Sequence, residues 1–243
     1  MDMVRSVIRS ALVALAISPL LSGCSIRGMA INAVADGLSG SGATFASDDD
    51  PELVRDAVPF ALKTYEALLE ERPRHRGLLL AATRGFTQYA YAFVDTDALL
   101  LEDDDPATAR VDRLRARKLY LRARDYGLRG LELDRPGITT ALRQDPEAAV
   151  AGFDRKDVEL LYWTGVAWGA AVADGMDDPE LVADFPAVRA LLTRALALDP
   201  DWDEGALHEA MISLESVPEA MGGSLIAQER ARHLLARVDE LFF

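Results

Sequence analysis

The stretch Ala187-Val188-Arg189-Ala190-Leu191-Leu192-Thr193-Arg194-Ala195-Leu196-Ala197-Leu198-Asp199-Pro200 decides the fold. Its apolar residues recur three and four apart, the spacing of one helix face. Val188, Leu192 and Ala195 share that face, and Pro200 ends the unit because proline cannot continue a helix. Ala61 to Pro73 has the same build, with Ala61, Tyr65 and Leu68 on one face and Pro73 at the end. Leu119 to Pro136 is a looser copy whose face is small: Ala123, Gly127 and Gly130. Small residues there let a neighbouring helix approach closely.

Strand signals are nearly absent, with no alternating Val, Ile or Thr and no Asn-Gly turn. Asp50-Pro51, Asp105-Pro106, Asp145-Pro146 and Asp178-Pro179 each read as an N-cap aspartate followed by proline at the first helical position. The carboxylate accepts from unpaired backbone N–H groups, and proline has no N–H to leave unpaired. The pattern predicts helices over 26–38, 51–72, 76–95, 106–133, 154–174, 186–198, 204–216 and 224–242, with short turns at 138–143, 146–151 and 179–184. A Gly/Ser loop runs from Gly37 to Ser47. Exposed connections are expected at Leu101 to Asp105 and over 134–153. Segment 76–95 pairs with 106–133, 154–174 with 186–198, and 204–216 with 224–242. The repeated helix resembles the second helix of a tetratricopeptide repeat. The expected fold is all-α: stacked antiparallel helical hairpins, degenerate tetratricopeptide-like repeats of an α-solenoid, which need three or more units to bury their faces. An ordinary helical bundle is the alternative.

The start of the chain reads as a secretory signal. Arg5 and Arg9 precede an apolar run, Ala11 to Leu21, too short to span a bilayer. Leu21-Ser22-Gly23-Cys24 resembles the lipobox of bacterial lipoproteins, which implies cleavage before Cys24 and its lipidation. A soluble secreted protein is the alternative, but a lone cysteine makes no internal disulfide. Two or more acyl chains hold a protein firmly where one does not. The same lipoprotein resemblance implies, by the sorting logic of Gram-negative lipoproteins, that Ser25 in place of Asp sends the protein to the periplasmic face of the outer membrane rather than the inner membrane. The expected organisation is a signal at 1–23, a lipid-anchored segment with a short helix and loop at 24–50, and a helical domain at 51–243. The signal holds Asp2, Arg5 and Arg9, so its removal takes the net charge from −14 to −15. Such a chain is repelled by nucleic acid and by anionic headgroups.

Chemistry is hard to find. His75, His208 and His233 have no ligand spacing, and His208-Glu209 lacks the second histidine, since position 212 is Ile. Asp48–Asp50 and Asp103–Asp105 lack the glycine and distal glutamate of a calcium loop. No metal site, cofactor or catalytic residue is expected, and no nucleotide-binding glycine loop or nucleophile elbow is present. Two aromatic clusters do stand out: Phe86-Thr87-Gln88-Tyr89-Ala90-Tyr91-Ala92-Phe93 and Tyr162-Trp163-Thr164-Gly165-Val166-Ala167-Trp168-Gly169. Phe86, Tyr89 and Phe93 share a face, while Tyr91 points elsewhere. Trp163 and Trp168 are five apart and cannot face one seam together. Gly165 and Gly169 each cost about 1 kcal/mol of helix stability, so a close helix or a ligand is expected beside them. The clusters read either as core or as a cavity lined by Tyr89, Tyr91, Trp163 and Trp168 with Gln88 as a polar contact. The candidate ligand- or partner-binding residues are Phe86, Gln88, Tyr89, Tyr91, Trp163 and Trp168.

Three segments together resemble the T-component family of tripartite ATP-independent periplasmic (TRAP) transporters. They are Gly40-Ser41-Gly42-Ala43-Thr44-Phe45-Ala46-Ser47-Asp48-Asp49-Asp50-Pro51-Glu52-Leu53, then Gly77-Leu78-Leu79-Leu80 through Gly85-Phe86-Thr87-Gln88-Tyr89-Ala90-Tyr91, and Pro218-Glu219-Ala220-Met221-Gly222-Gly223-Ser224. The resemblance implies a periplasmic, non-enzymatic lipoprotein of degenerate tetratricopeptide hairpins. It would associate with the transporter's extracytoplasmic solute-binding protein, in some oligomeric form, and serve uptake of small acidic or hydrophobic solutes. Competing readings are a general envelope-assembly scaffold and a lipid-anchored hydrolase with a carboxylate pair.

Overall fold

The computed structural model describes residues 31–38, 40 and 48–214. The signal, Cys24, most of the Gly/Ser loop, His233 and the helix expected at 224–242 lie outside the described residues. Those described are helical, with no strand among them. In chain order they form α1 (31–38), α2 (Pro51–Glu71), α3 (Arg76–Tyr89), α4 (Thr96–Leu101), α5 (Pro106–Asp134), α6 (Ile138–Gln144), α7 (Pro146–Val150), α8 (Val158–Ala173), α9 (Pro179–Val182), α10 (Phe185–Leu198) and α11 (206–214).

The four Asp-Pro pairs act as the sequence predicts. Asp50 accepts from the Leu53 N–H at 3.0 Å, Asp105 from Thr108 at 3.1 Å, and Asp145 from Ala148 at 3.1 Å. Asp178 accepts from both Glu180 and Leu181. In each case an orphan donor of the first turn gains a charged acceptor.

Three expectations need correction. The helix starting at Arg76 does not stop at 95: it passes through a π-turn over Ala90–Asp95 and continues as α4. The Thr96 hydroxyl donates to the Tyr91 carbonyl at 2.8 Å and helps hold that wide turn. Segment 134–153 is no mere exposed connection, because α6 and α7 bury Ile138, Leu142 and Val150, and Phe153 is buried after them. The helix expected from 204 begins at 206. Asp203, Glu204 and Gly205 hold positive φ values of 49°, 55° and 96°, which a right-handed helix cannot contain.

Each long helix packs on the next. α2 lies on α3, α3 on α5, α5 on α8 and α8 on α10, while α3 also touches α8. Thus 76–89 does pair with 106–134, and 158–173 with 185–198. The small face of α5 allows the close approach. A Cβ on Gly127 would lie 2.2 Å from Thr164 Oγ1, and one on Gly130 would lie 2.8 Å from Leu160 Cδ2. Tyr120, Leu131, Leu160, Leu161 and Trp168 fill the centre, with Leu78, Leu79 and Phe86 on the α2 side. Burying one such side chain stabilises by about 1.5–3 kcal/mol. The buried hydroxyls of Thr83, Thr87 and Thr164 donate to carbonyls one turn back, so none is left unpaired.

One basic residue ties three helix ends together. Arg76, at the start of α3, reaches Asp134 at the end of α5 (3.2 Å) and the buried Asp157 before α8 (2.8 Å). Asp157 also accepts from the Asp154 N–H, closing a capping box.

Candidate functional site

Two apolar cavities flank the π-turn, each of about 490 Å³. The first lies between α2 and α3, walled by Val54, Val58, Leu62, Tyr65, Tyr89 and Phe93, with Arg84 and Asp48 as its charged members. The second lies between α8 and α11, walled by Tyr162, Trp163, Val166, Leu192, Ala210 and Leu214, with Glu209 as its charged member. Gln88 and Tyr91 line both. The two side chains therefore form the partition. Tyr91 is 68% exposed, so the partition is a surface feature and not part of the core.

The sequence candidates divide accordingly. Gln88 and Tyr91 stand between the cavities, Tyr89 faces the first and Trp163 the second. Phe86 and Trp168 sit in the core, 3% and 1% exposed, and line neither cavity. Phe86 stacks on Tyr126 with centroids 5.9 Å apart, and the Trp168 ring lies under the Arg124 guanidinium. Gly165 and Gly169 have the close helix expected beside them. They line the second cavity, and they also meet Leu192 and Val188 of α10.

Sequence reasoning missed Tyr120 and its acidic neighbours. Tyr120 is buried, lines the second cavity, and donates to Asp95 at 3.3 Å. Burial first, then the charges of Asp95 and Asp174, push its phenol upward. Asp174, at the end of α8, has one oxygen buried with no hydrogen-bond partner. Burial, and secondarily the charge of Asp95, raise its carboxyl to about 7 against the pull of Arg113 and Arg117. The residues come from three separate elements, so no local spacing could have joined them. The first cavity is braced by Arg55, which forms a bidentate pair with Asp97 at 2.5 and 3.0 Å and lies over the Phe93 ring.

Each cavity has one carboxylate on its wall among the described residues, Asp48 in the first and Glu209 in the second. Among the described residues, neither wall holds the paired carboxylates that glycoside hydrolysis uses. No group of three or more His, Cys, Asp or Glu that could hold a metal exists among the described residues. His75 is an N-cap, accepting from the Leu78 N–H, with Asp36 3.2 Å from its other nitrogen. No helix among the described residues is long and apolar enough to cross a membrane.

The described residues form an all-helical protein with two aromatic-walled apolar cavities open at its surface. The sequence profile of the TRAP transporter T-component matches residues 47–225, and the chain belongs to that family. That membership points to a non-catalytic role and gives no support to an envelope-assembly scaffold. The chain is also similar to an uncharacterized protein of Treponema pallidum (strain Nichols), at 36% identity over 198 residues. The match covers 79% of this chain and 61% of that relative, so the chain spans about three-fifths of the relative's length.

Proposed function

We propose that this chain is a periplasm-facing lipoprotein, anchored through Cys24, that serves a TRAP-type transporter by docking its extracytoplasmic solute-binding protein. In this reading the hairpins are degenerate tetratricopeptide-like units. The cavities on either side of Gln88 and Tyr91 receive a small hydrophobic or acidic ligand. The observation that carries the reading is the pair of apolar cavities sharing one partition, within a chain of the T-component family. A cavity of a few hundred Å³ with few polar groups suits a small apolar ligand. Arg84 on the first wall is ion-paired with Glu159 at 3.2 Å, so an acidic ligand there competes with that carboxylate for the guanidinium. The role is non-enzymatic, and the protein sits on the periplasmic face of the outer membrane.

The test is direct binding of the purified mature chain to the solute-binding protein of its own transporter, measured by calorimetry. A saturable complex supports the reading, and its absence with both proteins folded sinks it. Anchoring is tested separately. Cys24→Ala, expressed in the native host, is expected to move from the membrane to the soluble periplasmic fraction. Retention in the membrane fraction after export would refute the anchor.

A further inference from the structure

The outward face of α5 is built unlike the rest of the chain. The whole chain has 26 Lys and Arg against 40 Asp and Glu, yet α5 alone carries eight basic residues against four acidic. Ala109, Ala116, Tyr120 and Ala123 mark its inward side. Val111, Leu114, Arg115, Lys118, Arg122 and Arg129 recur three and four apart on the opposite side, and all are exposed. Val111 is 63% exposed, and Leu99 and Leu100 of the adjoining α4 are 62% and 72% exposed. Arg122 is engaged with Glu66 at 2.9 Å, and Arg129 lies over the Tyr126 ring. Asp125 interrupts the row and pairs with Arg124. Arg115 and Lys118 form no ion pair with any described residue, although Arg115, after Arg55, contributes to holding the Asp97 carboxyl down.

We infer that this face, centred on Val111, Leu114, Arg115 and Lys118, is where an acidic partner protein docks, and that the partner is the transporter's solute-binding protein. The inference rests on the docking reading above. Exposed cations outside any ion pair, beside exposed aliphatic side chains, match a partner with an acidic rim around an apolar centre. Such charges steer encounter, and desolvated aliphatic contacts hold the complex. A flat anionic lipid surface fits less well. Being flat, it would also meet the acidic turn Glu102-Asp103-Asp104-Asp105 at the same end of α5 as Val111, whereas the rim of a protein partner can end short of that turn.

The experiment uses the full mature chain and the purified solute-binding protein at 50 and 300 mM salt. The variants are Arg115→Glu with Lys118→Glu, Val111→Ser with Leu114→Ser, and Arg189→Glu as an exposed control on α10. The charge reversal is expected to weaken binding tenfold or more, to flatten its salt dependence, and to leave the thermal melt unchanged. The serine pair weakens binding without changing the salt dependence, and the control binds as the parent does. Binding by the reversal variant at parental strength overturns the inference while leaving the docking reading intact. A parent that binds no solute-binding protein overturns both. Self-association or sedimentation with anionic vesicles that the reversal abolishes would assign the face elsewhere and overturn the inference.

Discussion

Asp174 sits where its charged form is disfavoured. Its carboxyl titrates near 7 in the folded chain against an ordinary 3.8, because burial and Asp95 disfavour its charge. The folded state therefore binds this proton more tightly than the unfolded state does. Any stability linked to the group is full below its unfolded value and is lost as pH rises towards 7. Asp174→Asn removes the charge and is expected to stabilise the protein at pH 8 by about 1–2 kcal/mol, allowing for solvent screening of its exposed part. The gain should vanish near pH 4, and urea titrations at the two pH values check it. The two tryptophans separate at the same scale. Trp168→Ala empties a core site and should cost about 3–5 kcal/mol. Trp163→Ala truncates a half-buried cavity wall, and should weaken ligand or partner binding at a smaller cost in stability. Equal unfolding by the two variants would refute the distinction. The five-residue spacing of these tryptophans told that they diverge. It could not tell which one turned inward, because that depends on α5 and α10, far away in sequence.

At the scale of elements, the caps were legible and the continuities were not. An Asp-Pro pair writes a helix start into two adjacent residues, and all four pairs cap as expected. By contrast, Asp95-Thr96-Asp97 reads as a polar stop. Yet the chain stays helical through it, because Arg55 of α2 engages Asp97 and Tyr120 of α5 engages Asp95. Those partners lie 42 and 25 residues away, so local periodicity carries no trace of them. Arg76 shows the same dependence between elements. Arg76→Met keeps the aliphatic bulk but leaves Asp157 buried with its charge uncompensated. The loss is expected to be about 2–3 kcal/mol, read as a lower urea midpoint with unchanged slope. A larger slope change would mean the three helix ends unfold separately.

For the whole molecule, the cavities arise from assembly and belong to no single segment. Gln88 and Tyr91 were visible as candidates because an aromatic cluster is unusual in a helix. The second cavity also needs Ala206, Ala210 and Leu214, whose sequence carries no special signal. The outward face of α5 was hidden for a different reason. A net charge of −14 averages away a local excess of cations, which emerges only once the inward side of the helix is known. The π-turn over Ala90–Asp95 has one more consequence, and it is genealogical. A turn of this kind is a single-residue insertion absorbed within a helix, with no loop lengthened to receive it. A family member one residue shorter across this stretch would run as an unbroken α-helix. Everything after it, Asp97 and the exposed Leu99 and Leu100 included, would be rotated by about 100° relative to Gln88. Such a relative would turn Asp97 away from Arg55 in the act of losing one codon, so that ion pair and the chain length at this point should be inherited together.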